Sequence, residues 1–467
     1  MSNINHGLIK IIHSLLNDCN LSIYCAYQDG VQYNTYVSTA PAESNSTELK
    51  QHKTSEIDTP IGVLDKDWNI IKQFPPNYDI YIVNPTFYEQ LLKDGSIGLG
   101  ESYMQNKWYT PNLTLVLQAL ISFSEVDLVK KYAISLIKAS PILTLEFLGK
   151  SILSLFQHRI FNLQNLQLSK RVAEQHYDLP TILYERMLDP CMQYSCAYWN
   201  QKNPKLIEIN NPNADNLNEA QQEKIKLITE KLYIEDGMKI LEIGAGWGAF
   251  AAHLSESFPK SQIVAISLSK EQMKYAQQKY RHLSNVQYLV MDYRDPQLLE
   301  MGPFDRIYSV GAFEHFGFSN YTTFFKIVEV LLPPTGIFLL HCITTHHESL
   351  YPDKFFDKYI FPGGQLSSIQ RIVSNGEVNN LICEDVHCFG LDYAKTLACW
   401  QKRFCKSWNN LATTDTLENL ALPADEFYRM WNFYLCASQA EFLQRVLNLS
   451  QFIFTKFRYQ TYVRPCF

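Results

Sequence analysis

The stretch KILEIGAGWGAF, residues 239–250, constrains the fold of this chain more than any other. It begins with a short apolar run interrupted only by Glu242, and three glycines follow at alternate positions, Gly244, Gly246 and Gly248. This pattern predicts a buried strand, a tight turn and the start of a helix. A Cβ at these positions would collide with a bound molecule or forbid the turn. We therefore expect a ligand to lie on the turn.

Two classes of ligand use such a turn after the first strand of a parallel sheet: dinucleotides, and nucleosides such as S-adenosylmethionine. The dinucleotide fingerprint is GxGxxG with an acidic residue about 20 positions later. This chain has GxGxG, and its next predicted strand, residues 262–269, ends in serines without an acid. Glu242 stands where it can meet a charged amino-acid group. These residues favour S-adenosylmethionine over NAD, and a purely structural loop is the third interpretation.

Composition limits the other function classes. The chain has 467 residues, which predicts two or three domains, and 46% hydrophobic residues, which is typical of a globular protein. A formal charge of -6 argues against a nucleic-acid binder. Eleven cysteines without a repeating spacing do not indicate a disulfide framework, so a reducing cytoplasm is the expected location. The sequence contains no run of 18 or more apolar residues, so it predicts no membrane-spanning helix.

Strand and helix patterns alternate after the glycine turn, which predicts an α/β domain with a parallel sheet. A helix is predicted over 218–232, just before the turn. The N-terminal part, residues 1–165, is predicted to be a smaller and mainly helical domain, with a polar loop or insertion over about 28–67. Within it, the segment SIGLGESYM, 96–104, is predicted to place two glycines in a turn.

Residues 170–467 resemble the cyclopropane-fatty-acyl-phospholipid synthase family, and residues 83–104 are similar to its phospholipid-acting bacterial members. The matching runs occur in the family's order and spacing: HYDL at 176–179, MLDPCMQYSCAYW at 187–199, LEIGAGWG at 241–248, DYRD at 292–295, FDRIYSVGAFEHFG at 304–317, GIFLLHCI at 336–343, KYIFPGG at 358–364 and DYAKTL at 392–397. The resemblance implies a Rossmann-like class I methyltransferase domain over 166–467 and a lipid-docking domain over 1–165.

The resemblance also implies the residues of the site. A bound bicarbonate ion would act as general base, and Glu314 has a second possible role in stabilising a cation. The residues implied to hold this ion are Cys196, Glu314, His341, Ile343 through its backbone, and Tyr393. The residues implied to contact the cofactor, besides Glu242 and the three glycines, are Tyr177, Ser195, Ser267, Leu268, Gln272, Asp292 and Tyr293. No metal is expected.

The implied activity is transfer of a methylene from S-adenosylmethionine to the cis double bond of an unsaturated phospholipid acyl chain. The enzyme would associate peripherally with the inner membrane surface, and the resemblance suggests a homodimer. Two alternatives stay open. The same fold could make a methyl-branched acyl chain or methylate a small amine, or the protein could bind lipid without catalysis.

Overall fold

The computed structural model describes residues 6–25, 28–29, 32–33, 62–64, 70–73, 78–122, 179–200, 216–346, 348, 353–412, 422–457 and 462–465. The chain divides into two compact units. The first comprises Met1–Ser154, Asp353–Phe355 and Leu420–Gln444, and the second comprises Leu155–Pro352, Phe356–Asn419 and Arg445–Phe467. The boundary near residue 165 stays a prediction, because residues 123–178 lie outside the described part.

The first unit combines short strands with longer helices. Its described strands are β1 (Ile23–Cys25), β2 (Gln28–Asp29), β3 (Gln32–Tyr33), β4 (Gly62–Leu64), β5 (Ile70–Gln73), β6 (Ile80–Ile82) and β7 (Trp108–Tyr109). Its described helices are His6–Asp18, Thr86–Asp94, Ser96–Met104, Leu113–Ser122 and Ala424–Leu443. Strand β6 pairs with β1 in parallel and with β7 antiparallel. The polar stretch predicted as a loop contains β2 and β3, which pair with each other, and β4, which pairs with β5.

The segment SIGLGESYM is a helix, so the prediction of a turn was wrong. A Cβ on Gly98 would lie 2.1 Å from the backbone oxygen of Gln90 in the preceding helix, and one on Gly100 would lie 2.3 Å from the ring of Phe355. These glycines serve close packing of a helix against its neighbours, and a sequence pattern does not distinguish that use from a turn.

The helix Ala424–Leu443 packs within the first unit although it follows most of the catalytic motifs in sequence. Its Arg429 guanidinium lies 3.8 Å from the centre of the Tyr103 ring and donates a hydrogen bond to the backbone oxygen of Trp108 at 3.1 Å. The helix therefore joins segments of the unit that are more than 300 residues apart along the chain.

The second unit is built on one seven-stranded sheet. Its strands are β8 (Lys239–Ile243), β9 (Gln262–Ser267), β10 (Val286–Val290), β11 (Arg306–Val310), β12 (Ile337–Thr345), β13 (Leu381–Cys388) and β14 (Leu447–Lys456). Their order is β10-β9-β8-β11-β12-β14-β13. The first five are parallel, and β14 is antiparallel to both of its neighbours. The predicted α/β class is confirmed, and the sequence did not predict the antiparallel pair at the end.

Helices cover both faces of this sheet. They are Thr181–Met187, Leu217–Lys231, Ala249–Ser257, Lys270–Lys279, Pro296–Glu300, Tyr321–Leu331, Ile369–Val378 and Gly390–Ala412, while Lys354–Tyr359 begins in the first unit. Alternate strand residues enter separate apolar cores: Leu241 and Ile243 face one core, and Ile240 faces the core that contains Ile225 and Ile228. Glu242 therefore points toward the helix Leu217–Lys231. No described helix is long and apolar enough to cross a lipid bilayer.

Candidate active site

The glycine turn begins directly after β8, at the carboxyl edge of the sheet. Gly244, Gly246 and Gly248 have φ values of 87°, 54° and 82°, in a region that residues other than glycine rarely adopt. A Cβ on Gly244 would lie 2.4 Å from the Cβ of Ala312, whereas nothing lies within 4 Å of the Cβ position on Gly246. The turn thus leaves space beside Gly246 that a ligand can fill.

A cavity lies at this edge, and residues from several strand ends line it. Nine of the predicted cofactor residues are in its lining: Ser195, Glu242, Gly244, Gly246, Ser267, Leu268, Gln272, Asp292 and Tyr293. Gly248 is not in the lining, because its Cβ position faces Ala276 and Tyr288. Tyr177 lies outside the described residues. The predicted cofactor set therefore converges on one cavity.

Asp292 and Tyr293, which the resemblance implies to contact the cofactor, are held by their neighbours. The Asp292 carboxylate accepts hydrogen bonds from Arg294 at 2.8 Å through two guanidinium nitrogens. The Tyr293 ring packs against Phe316, with centroids 4.7 Å apart, and burial raises the pKa of its hydroxyl to about 12. Together they form a rigid, partly apolar wall of the cavity.

Two buried titratable groups, a carboxyl and an ammonium, also line the cavity. Glu242 is 4% exposed, its Oε2 has no hydrogen-bond partner, and burial raises the pKa of its carboxyl to about 8. Lys224 is 1% exposed, and its Nζ donates to Ser195 Oγ at 2.7 Å. Burial lowers the pKa of Lys224 to about 8. The sequence analysis did not single out Lys224.

Glu314 and the backbone of Ile343, both predicted to act in catalysis, are in direct contact. Glu314 is 9% exposed and lies in the 3-10 turn Phe313–His315 that follows β11. Its Oε1 accepts a hydrogen bond from the Ile343 amide at 2.7 Å, and its buried Oε2 has no hydrogen-bond partner. Burial raises the pKa of this carboxyl to about 7, so it can change protonation state near neutral pH.

His341 lies inside β12 and is 1% exposed. The side-chain amide nitrogen of Gln451 on β14 lies 3.1 Å from its Nδ1, and its Nε2 has no hydrogen-bond partner. Burial, together with the positive charges of Lys224 and Lys231, holds the pKa of His341 well below its usual range. The imidazole is therefore neutral, and Gln451 fixes its orientation.

Cys196 and Tyr393 complete the predicted catalytic set. Cys196 is fully buried, its Sγ lies 3.1 Å from the backbone oxygen of Ala197, and burial raises the thiol pKa well above its usual range. The ring of Tyr393 meets Trp400 edge to face, with centroids 5.9 Å apart. None of the five predicted catalytic residues lines the cavity, although Ser195 and His315, which adjoin Cys196 and Glu314 in sequence, do.

His315 is a cavity residue that sequence reasoning left without a role. Burial lowers the pKa of its imidazole to about 4, so the ring is neutral, and it packs against Phe361 at a centroid distance of 5.7 Å. Its place directly after Glu314, in the turn that follows a strand, is the signal that could have identified it.

Comparison with known proteins identifies the family. The profile described as "Mycolic acid cyclopropane synthetase" matches residues 164–452. The chain belongs to this family. The resemblance drawn from its motifs is confirmed, and members of this family are S-adenosylmethionine-dependent methyltransferases. The chain is also 39% identical over 378 residues to the cyclopropane-fatty-acyl-phospholipid synthase of Escherichia coli, an alignment covering 81% of this chain and 88% of the relative.

Solved structures of the family share the catalytic fold. The cyclopropane synthase MmaA2 from Mycobacterium tuberculosis aligns with 63% of this chain and 100% of its own, at 27% identity and a TM-score of 0.53. The mycolic acid cyclopropane synthase CmaA1, complexed with SAH and CTAB, aligns with 62% of this chain and 98% of its own, at 30% identity and a TM-score of 0.52. These similarities establish the class I methyltransferase fold for the second unit.

Proposed function

We propose that this protein transfers a methylene from S-adenosylmethionine to the cis double bond of an unsaturated phospholipid acyl chain, forming a cyclopropane ring. The observation that carries the proposal is the similarity to the Escherichia coli phospholipid enzyme, which extends over 81% of this chain. The second candidate is a methyl-branched product. It is favoured by 31% identity over 368 residues to the tuberculostearic acid methyltransferase UfaA1 of Mycobacterium tuberculosis.

The cofactor fits the cavity on three observations. Gly246 leaves open space at the turn, Glu242 Oε2 is a buried acceptor with no partner, and Ser195 supplies a hydroxyl in the lining. When bound, S-adenosylmethionine supplies an electrophilic one-carbon group on a sulfonium sulfur. The chain's part is to hold that group in line with the alkene, a poor nucleophile, and to exclude water from the cation that develops.

Loss of a proton from the added carbon requires a base, which we propose to be a bicarbonate ion held by Cys196, Glu314, His341 and Tyr393. When bound, the ion supplies a small base that fits where a side chain would not. Two buried atoms with no hydrogen-bond partner, Glu314 Oε2 and His341 Nε2, fit this role. The Ile343 amide donates to Glu314 instead, so its part is to fix the carboxylate.

The lipid partner and the location follow from the substrate. A phospholipid acyl chain must leave the bilayer at its surface to reach the cavity, so we propose peripheral association with the inner membrane surface. The N-terminal domain, residues 1–165, would make this contact, and residues 166–467 would carry out catalysis. Assembly as a homodimer is part of the same proposal. A vesicle flotation assay tests the first point, and sedimentation of the purified chain tests the second.

Expression in a bacterial host that lacks cyclopropane lipids tests the activity. Cyclopropanation adds one CH₂ and consumes the double bond, a methyl-branched product has no ring protons in its NMR spectrum, and amine methylation leaves the lipids unchanged. Glu314→Gln and His341→Ala should each lower turnover roughly 100-fold or more while keeping cofactor affinity. The exposed Glu300→Gln and His282→Ala are the matched controls. Absence of any lipid product with bound cofactor would favour the non-catalytic alternative.

A further inference from the structure

Two buried titratable side chains, Lys224 and Glu242, line the cavity, and no salt bridge joins them. Among the described residues, no carboxylate oxygen lies within 4.0 Å of Lys224 Nζ, whose one hydrogen bond goes to the neutral hydroxyl of Ser195. Glu242 Oε2 likewise has no partner. A buried ammonium that forms no salt bridge is costly, and an anionic ligand in the cavity would offset that cost.

The other charges near Lys224 are already engaged. Asp189 accepts backbone hydrogen bonds from Cys191 at 2.9 Å and from Gln193 at 2.8 Å. Asp292, which also lines the cavity, is paired with Arg294 through two hydrogen bonds of 2.8 Å. The charge of Asp189 favours the charged form of Lys224, but neither Asp189 nor Asp292 forms a salt bridge with it.

The helix Leu217–Lys231 fixes the position of the Lys224 ammonium. One turn before Lys224, the side-chain amide of Gln221 donates to the backbone oxygen of Ser195 at 2.9 Å. The helix thereby holds both the backbone and the hydroxyl of Ser195, and this hydroxyl lies beside the Lys224 ammonium. A cation and a hydroxyl at one wall form a typical recognition pair for a carboxylate.

We propose that Lys224 binds the α-carboxylate of S-adenosylmethionine, with Ser195 beside it, while Glu242 faces the α-ammonium. A buried ammonium and a buried carboxyl on the cavity wall match the two charged groups on the α-carbon of the cofactor, and the α-ammonium would favour the ionised form of Glu242. The assignment rests on the proposed use of S-adenosylmethionine, and it makes Lys224 the residue that selects a cofactor with an intact carboxylate. Burial, which lowers the pKa of Lys224 to about 8, leaves it charged at neutral pH.

The test is calorimetric binding of two ligands, S-adenosylhomocysteine and its decarboxylated analogue, to the full-length chain. The wild type should bind the carboxylated ligand on the order of 10- to 100-fold more tightly, the scale of a charge-assisted hydrogen bond. Lys224→Met should weaken that ligand by a similar factor and leave the analogue within about twofold. Lys224→Gln, which keeps a donor for Ser195 without the charge, should behave like Lys224→Met. The exposed Lys226→Met on the same helix is the control and should keep the full discrimination.

Each other outcome has a definite meaning. A wild type that binds both ligands equally overturns the assignment without reference to any variant. Equal weakening of both ligands by Lys224→Met, with recovery in Lys224→Gln, would show that the lysine only holds Ser195, and it also overturns the assignment. A wild type that binds neither ligand would instead refute the use of S-adenosylmethionine on which the inference rests.

Discussion

Glu314→Gln should remove turnover and at the same time remove a cost to stability that grows with pH. Glu314 is buried, one of its oxygens accepts from the Ile343 amide, and the other has no hydrogen-bond partner. Burial raises the pKa of its carboxyl from 4.5 to about 7. The folded protein therefore holds this proton more tightly than the unfolded chain does.

The sign and size follow from proton linkage. When a pKa is higher in the folded state, the free energy of unfolding falls as the pH rises between the two pKa values. At about 1.4 kcal/mol for each pH unit, ionising Glu314 costs roughly 2–3 kcal/mol between pH 5 and pH 8. Glutamine does not ionise. Relative to wild type, the variant should thus gain roughly 2–3 kcal/mol of unfolding free energy over this range.

Urea unfolding of both proteins at pH 5 and pH 8, followed by circular dichroism, measures this gain, and lipid mass spectrometry measures turnover. The exposed Glu300→Gln should show no pH-dependent difference from wild type. If the stability difference for Glu314→Gln were the same at both pH values, the carboxyl would already be ionised and paired, and the reasoning from its burial would be refuted. Full turnover in the variant would refute its place in catalysis.

Three further substitutions test the packing and ion pairing of the second unit. Gly248→Ala should destabilise the protein by about 2–4 kcal/mol in urea unfolding, because the new Cβ would lie 2.6 Å from the Cβ of Ala276. Gly237→Ala is the control: Gly237 has a φ of 95°, and nothing lies within 4 Å of its Cβ position. This control should lose only about 1 kcal/mol, from backbone strain. Glu348→Gln should cost about 1–2 kcal/mol at pH 7 after allowance for solvent screening. The hydrogen bond to Arg371 lowers the pKa of Glu348 to about 2. The loss of unfolding free energy should therefore vanish as the pH falls from about 4.5 toward 2. An equal loss at about pH 7 and at about pH 2 would contradict the pairing.

Periodicity predicted the strand, turn and helix at the cofactor site, because few other local structures are compatible with an apolar run, alternate glycines and an amphipathic segment in this order. The family motifs predicted residues that the structure gathers at one cavity, such as Glu242 and Gln272. They did not predict which of those residues contact one another. The pairing of Glu314 with the Ile343 amide depends on how two neighbouring strands end, which spacing along the chain does not encode.

Lys224 escaped the sequence analysis because a lysine in a helix is ordinarily exposed. A signal was present: Gln221, Lys224, Ile228 and Lys231 lie three or four residues apart and share the inward stripe of the helix, and all four are buried. A lysine on the buried face of a predicted helix indicates that a polar partner or a ligand lies beside it. The glycines of SIGLGESYM gave the opposite error, since their small size was needed for packing and not for a turn.

The helix Ala424–Leu443 has a consequence for how the protein is made. Because this helix belongs to the first unit, a ribosome must translate almost the whole chain before that unit can assemble all its parts, whereas the strands β8 to β12 emerge much earlier. During synthesis from the N-terminus, the five parallel strands of the catalytic sheet are therefore complete before the last helix of the first unit has been made. A fragment of residues 1–165 would lack Arg429 and its contacts with Tyr103 and Trp108. We expect chaperones or proteases to bind such a fragment.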